Sequence, residues 1–204
     1  MKMKLVFTWI QWCGKWTQAR LLVEKYGFTL LEMWQALRDL SKEDTPLAKL
    51  VKETQEAWRL VTPDIVCEIM KDVISKQTND KLILDWFVRN PWNKQCLENI
   101  IPEYKVVFFN LSKEKAIDRL LWRMYNPNTW ETFPSNIKID PKTWDELIKR
   151  KDDNEESILK RIEEYMNNTL PTAMKQKEEW KVIEINADQT IEEVWKEMVE
   201  RLGL

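Results

Sequence analysis

The sequence predicts an α/β protein, a single domain over residues 1–204 built on a five-stranded parallel sheet flanked by helices. Two observations carry this. Short apolar runs at Lys4–Thr8, Phe28–Leu31, Leu82–Asp85, Val106–Leu111 and Val182–Ile185 read as strands buried on both faces, and helical patterns fill the intervals between them. Strands that alternate with helices pair in parallel, because each crossover returns the chain to the same end of the sheet. The length and the 44% of hydrophobic residues suit one sizeable core.

The first strand runs into a loop and then a helix from Thr17 to Tyr26, where Ala19, Leu22, Val23 and Tyr26 keep helical spacing. Gly27 stands where that helix needs a left-handed residue to end. Residues 32–61 leave the strand rhythm and read as small helices, one starting at Thr45-Pro46. Residues 123–150, rich in Asn, Pro, Thr, Asp and Lys, read as turns and short hairpins. A long helix is predicted from Asp153 to Asn168, with an apolar stripe of Ile158, Ile162 and Tyr165 and acidic residues at its dipole-positive start. The chain closes on an amphipathic helix over Ile191–Leu202.

A formal charge of -2 gives no global field for DNA or anionic lipid, so nucleic acid and membrane are not expected partners and any anion site must be built locally. No window has the roughly 18 uninterrupted apolar residues of a membrane span, and the start lacks a secretory pattern, so a cytoplasmic address is expected. Cys13, Cys67 and Cys96 are far apart and no histidine exists, so neither a disulfide nor structural zinc is expected.

Composition carries one imbalance: average usage gives roughly 14 glycines in a chain of this size, and this one has 3 Gly and 12 Trp. The deficit and the surplus nearly match.

After the first strand comes Trp9-Ile-Gln-Trp12-Cys13-Gly14-Lys15-Trp16-Thr17. A phosphate-binding loop has Gly-x-x-x-x-Gly-Lys-Ser/Thr, because backbone N–H groups must close on phosphate oxygens while the lysine reaches the β and γ phosphates. Gly14-Lys15 and the strand-to-helix setting fit that pattern, but on that pair alone an ordinary surface turn is the stronger reading. Read with Trp9, Trp12 and Trp16 at glycine positions and Thr17-Gln18-Ala19 intact, the loop resembles that of adenylate kinases, and the resemblance runs on to the C-terminus.

The resemblance implies a P-loop kinase core with an AMP-binding insert at 32–61 and a lid at 123–150, and the reversible reaction of ATP with AMP, magnesium travelling with ATP. Lys15 and the arginines Arg89, Arg123, Arg150 and Arg161 would carry catalysis. On the ATP side stand Trp12, Cys13, Gly14, Lys15, Trp16, Thr17, Arg119, Arg123 and Gln189. On the AMP side stand Met33, Arg38, Leu60, Val61, Trp86, Arg89, Asn93, Arg150 and Arg161. Asp85, in Leu84-Asp85-Trp86-Phe87-Val88-Arg89, would assist magnesium through water, and Asp152-Asp153 would join the phosphate clamp. ATP and AMP are the implied partners of a monomer.

Such an arginine collection suits phosphoryl transfer, which needs positioning and charge neutralisation rather than a histidine base. Each arginine taken singly could equally belong to a solvated helix face. In the lid, Asn126, Thr129, Asp140 and Thr143 match a polar side-chain network rather than a cysteine cage, although such residues also favour loops on their own account.

Met33, Val88 and Asn93 depart from the family pattern and leave the monophosphate open, with a UMP/CMP-type kinase as the alternative. Nine tryptophans (9, 12, 16, 34, 58, 86, 122, 130 and 144) fall where the family has glycine, with Trp92 and Trp180 as further candidates; Trp195 reads as a helix-core indole. Three causes compete: an opal codon that means glycine in the source and is read as tryptophan, deliberate replacement, or decay of an inactive relative. The first is favoured, because decay scatters changes over all residue types. If the tryptophans of the phosphate loop are genuine, the chain is an inactive binding protein.

Overall fold

The computed structural model describes residues 2–10, 13–56, 62–129, 131–150 and 153–204, the side chains of 54–56 excepted. In chain order they form β1 (Met3–Trp9), α1 (Lys15–Tyr26), β2 (Thr29–Glu32), α2 (Met33–Leu40), α3 (Pro46–Glu56), α4 (Pro63–Ser75), β3 (Lys81–Asp85), α5 (Pro91–Ile100), β4 (Lys105–Asn110), α6 (Lys113–Leu121), β5 (Arg123–Tyr125), β6 (Thr132–Pro134), α7 (Glu155–Glu164), a π-helical turn (Tyr165–Thr169), α8 (Leu170–Glu178), β7 (Val182–Asn186) and α9 (Ile191–Leu202). Five strands make one parallel sheet in the order β2-β3-β1-β4-β7, as the apolar runs predicted.

Alternation along the strands divides the core between the two faces. Leu5 and Phe7 of β1 join Val107 and Phe109 of β4 and pack against Leu22 of α1, Ile158 and Ile162 of α7, and Met198 of α9. Val6, Leu82, Leu84 and Val106 point the other way, onto Ile69 and Met70 of α4 and Leu97 of α5. The register sets Asp85 level with Phe7 and with Glu32, so the carboxyl ends of β1, β2 and β3 share one edge, where open α/β sheets bind ligands.

Two expectations are corrected. The helix predicted to end at Asn168 continues to Glu178 through the π-helical turn. Pro171 sits in the first turn of α8, where the widened turn ahead of it accommodates its missing N–H. No disulfide was expected, yet Cys67 of α4 and Cys96 of α5 are joined, with Cα atoms 5.8 Å apart. Packing of two helices brings together thiols that spacing along the chain could not pair.

The 123–150 segment holds the antiparallel pair β5–β6 and a side-chain network. Asn126 Nδ2 donates to Asp140 Oδ2 (2.8 Å), Thr143 Oγ1 (2.9 Å) and Asp145 Oδ2 (3.0 Å), while its Oδ1 accepts from the N–H groups of Asn128 and Thr129. Burial raises the Asp140 carboxyl, but hydrogen bonds from Asn126 and the Lys142 and Thr143 backbone outweigh it and hold the group below its ordinary value. Asp145 completes a network for which the sequence pointed to Asn126, Thr129, Asp140 and Thr143. Arg20 of α1 reaches Glu131 at 3.1 Å and ties this segment to the core.

Among the described residues, the non-glycine positions with left-handed backbone are Trp86 (φ 67°), Trp144 (φ 63°) and Trp180 (φ 58°). Trp195 lies in α9, its ring 6.0 Å from that of Tyr26. Among the described residues no helix is long and apolar enough to cross a membrane.

Candidate functional site

At the carboxyl edge of the sheet, Gly14 takes a left-handed φ of 84° and turns the chain from β1 into α1. That turn delivers Lys15 at the first helical position. Its Nζ donates to both carboxylate oxygens of Asp85 at 2.6 Å each, with little exposure of either side chain. Burial pushes the Asp85 carboxyl up to about 6 against the opposing pull of Lys15, and burial likewise lowers the lysine against the pull of Asp85.

Two indoles crowd this pair. The Trp9 ring centroid lies 3.1 Å from Lys15 Nζ and the Trp86 centroid 5.9 Å from it, with the two rings 6.1 Å apart. Behind Trp86, the Arg89 guanidinium lies 4.4 Å from the ring; burial lowers its proton affinity and Glu164 opposes that shift. A cavity of about 20 Å³, bordered by Trp9, Trp86, Arg89, Tyr165 and Thr169, is what remains between them, room for about one water. Trp16 does not add to the crowd: its Nε1 donates to Glu32 at 2.7 Å and Arg20 stacks on it at 4.0 Å.

A second group of cations gathers where α7 begins. Arg123 makes a bidentate pair with Asp153, one bond at 2.6 Å, and Arg161 reaches the same carboxylate at 2.9 Å. Asp153 is 2% exposed, so both guanidinium groups are held by a buried anion. The Arg150 carbonyl accepts from the Asp153 N–H at 3.1 Å, which sets the turn into α7.

The other expected residues are more dispersed. Thr17 is exposed beside the loop, and Cys13 is buried, its thiol pushed up to about 12 by that burial. Arg119 donates to the Ala187 carbonyl at 3.3 Å, just past β7, and Gln189 is bonded to the Asn186 carbonyl at the end of β7 and to Glu197 of α9. Met33 is buried at the start of α2, and Arg38 on the same helix bonds Gln35 at 2.6 Å. Asn93 does not face outward to read a base. Its Oδ1 accepts from the Arg89 N–H at 3.4 Å and its own N–H donates to Asn90, so the short amide is folded into the start of α5. Trp12, Leu60, Val61 and Asp152, with Trp58 and Trp130, lie outside the described residues.

Sequence reasoning passed over Glu32, Thr169 and the lining role of Tyr165. The Thr169 hydroxyl donates to the Arg89 carbonyl at 3.1 Å. The π-helical turn places it there, and Thr169-Leu170-Pro171 was its signal in the sequence.

Among the described residues no three acidic or thiol side chains gather as a metal cage. Asp85 is the carboxylate bonded to Lys15, which fits a magnesium ion held chiefly by nucleotide phosphates and water with one carboxylate behind them. When bound, the ion would neutralise charge on the transferring phosphates.

The adenylate kinase family profile matches residues 11–179. An adenylate kinase of Bacillus velezensis is 30% identical over 213 aligned residues, covering 98% of this chain and 98% of that protein. An adenylate kinase of a Geobacillus species is likewise 30% identical, over 98% of this chain and 99% of that protein. UMP-CMP kinase 1 of Oryza sativa subsp. japonica is 27% identical, over 91% of this chain and 68% of that protein.

Proposed function

The chain belongs to the adenylate kinase family, and we propose that it moves the terminal phosphoryl group of MgATP to AMP and back. The observation that carries this reading is Lys15: a lysine at the positive end of α1, on the ligand edge of a parallel sheet, facing Asp85 with Arg89 close by. In this reading Lys15 leaves Asp85 for the β and γ phosphates, and Asp85 turns to the water shell of magnesium. Arg89 holds the AMP phosphate. Arg123, Arg150 and Arg161 neutralise charge on the moving phosphoryl, with Asp153 fixing the first and last of them. Arg119 and Gln189 flank the adenine side of ATP, while Arg38, Met33, Leu60 and Val61 flank AMP. Residues 32–61 and 123–150 serve as the AMP-side insert and the lid, closing to keep water from the phosphoryl in flight.

The reading requires the space over Lys15 to be free of the rings of Trp9 and Trp86. A coupled assay for ADP formation from ATP and AMP, run on the chain with glycine at the tryptophan positions of the motifs, tests it; absence of ADP refutes the proposal. A pyrimidine monophosphate is the second reading, favoured by Met33, by the inward-turned Asn93 and by the likeness to the rice UMP-CMP kinase. Turnover of AMP, UMP, CMP and GMP at equal concentration separates the two, and a long lid favours AMP. A chain in which Trp9 truly covers Lys15 would turn over none of them and would be a binding protein.

A further inference from the structure

The three glycines of the chain, Gly14, Gly27 and Gly203, all adopt left-handed backbone. The other described residues that do so are all tryptophan: Trp86, Trp144 and Trp180. A left-handed φ is free for glycine and strained for any residue with a Cβ, and Asn or Asp are the usual exceptions. Tryptophan has neither the freedom nor a short polar group to bond locally. Nothing in the local chemistry selects an indole at these turns.

Packing does not compensate for the strain. Trp144 is 80% and Trp180 96% exposed, so their rings lie in solvent although tryptophan is ordinarily well buried. Trp86 is partly buried, but its ring stands against Trp9 and Arg89 in the narrow space beside Lys15. Trp195 behaves differently: it has helical backbone, a ring neighbour in Tyr26 and Lys25 5.4 Å from its face. Two populations of tryptophan therefore occur in one chain, one suited to its place and one occupying positions made for glycine.

We infer that glycine stands at 86, 144 and 180 in the protein its source makes, specified by an opal codon that the source reads as glycine and that the sequence renders as tryptophan, whereas Trp195 is tryptophan. The same codon accounts for the shortage of glycine in the whole chain, since 3 Gly beside 12 Trp departs from the roughly 14 glycines expected by composition. Position 9 belongs to the first population by a separate criterion. Its ring lies against Lys15 at 3.1 Å, and a glycine there would uncover the face of the cation turned away from Asp85.

Backbone conformation and packing mark these positions whatever reaction the chain performs. The coding DNA tests it directly: one opal codon shared by 86, 144 and 180, and the ordinary tryptophan codon at 195, are expected. Ordinary tryptophan codons at the first three overturn it. A physical measurement tests the same point on the full chain. Trp144→Gly and Trp180→Gly remove strained, exposed indoles and touch no core, so each should raise the thermal midpoint by about 2–4 °C. Trp195→Gly, placed inside α9 against Tyr26, should lower it. A fall in midpoint for the variants at 144 and 180 would show that the indoles belong there, and would overturn the inference.

Discussion

Lys15, at the start of α1, and Asp85, at the end of β3, meet at 2.6 Å on the carboxyl edge of the sheet. A lysine at a helix N-terminus takes the nearest anion, and the register of the sheet supplies one. The Trp9 ring then covers the cation from the other side. If Lys15 holds a nucleotide phosphate, as proposed above, its attraction to Asp85 and to the indole must both yield first.

Glycine at 9, 12 and 16 should therefore strengthen ATP binding by at least about tenfold, equivalent to about 1.4 kcal/mol. Calorimetric titration of the two chains measures it. Because Trp16 is turned toward Glu32, Trp9→Gly should supply more of the gain than Trp16→Gly, and adding Trp86→Gly should increase it further. Equal affinities in the tryptophan and glycine chains would show that the rings are no obstacle.

The Asp85 carboxyl titrates at about 6 in the folded chain, above its unfolded value. Between those values the folded state binds the extra proton, so this group's contribution to stability rises as pH falls from about 6 toward 4 and its penalty is constant above that window. Denaturant melts of the parent and Asp85→Asn chains, compared from pH 4 to 7, isolate the effect. The parent should gain on the variant as the solution is acidified through that range, and parallel curves would deny the raised carboxyl.

Removing the Asn126 amide takes from the buried Asp140 its 2.8 Å donor and leaves it the bonds of Lys142 and Thr143. Asn126→Ala should loosen residues 123–150, read as lost hydrogen-exchange protection there while the five-stranded sheet keeps its own. Asn126→Asp should be worse at neutral pH and partly recover in acid, because it adds a third carboxylate to Asp140 and Asp145. Unchanged protection in both variants would mean that the network does not hold the segment.

Thr169 and Asn93 grip the two backbone polar groups of Arg89, one at its carbonyl and the other at its N–H. In the glycine-bearing chain, Thr169→Val should raise the Kd for AMP about three- to tenfold, the worth of one such bond, and leave ATP binding unchanged. Thr169→Ser should restore it. An equal loss for both nucleotides would reduce Thr169 to a fold-keeping residue.

The sheet and the order of helices around it were legible along the chain, because strands buried on both faces leave short apolar runs that alternate here with helical spacing. Also legible were the Gly14-Lys15 loop, the Asp85 and Arg89 positions and most of the Asn126 network, since each of these depends on residue types at short spacing. Tertiary structure alone decided what lies far apart in the chain. Cys67 reached Cys96 because α4 packs on α5, and Arg123 and Arg161 came to share Asp153 across the base of the 123–150 segment. The inward turn of Asn93 and the opposite fates of Trp9 and Trp16, one over Lys15 and the other on Glu32, were set by which partner lay within reach once the strands were in register. Pattern along a chain records which face a residue must present, whereas the partner it meets depends on contacts that only packing brings within hydrogen-bonding distance.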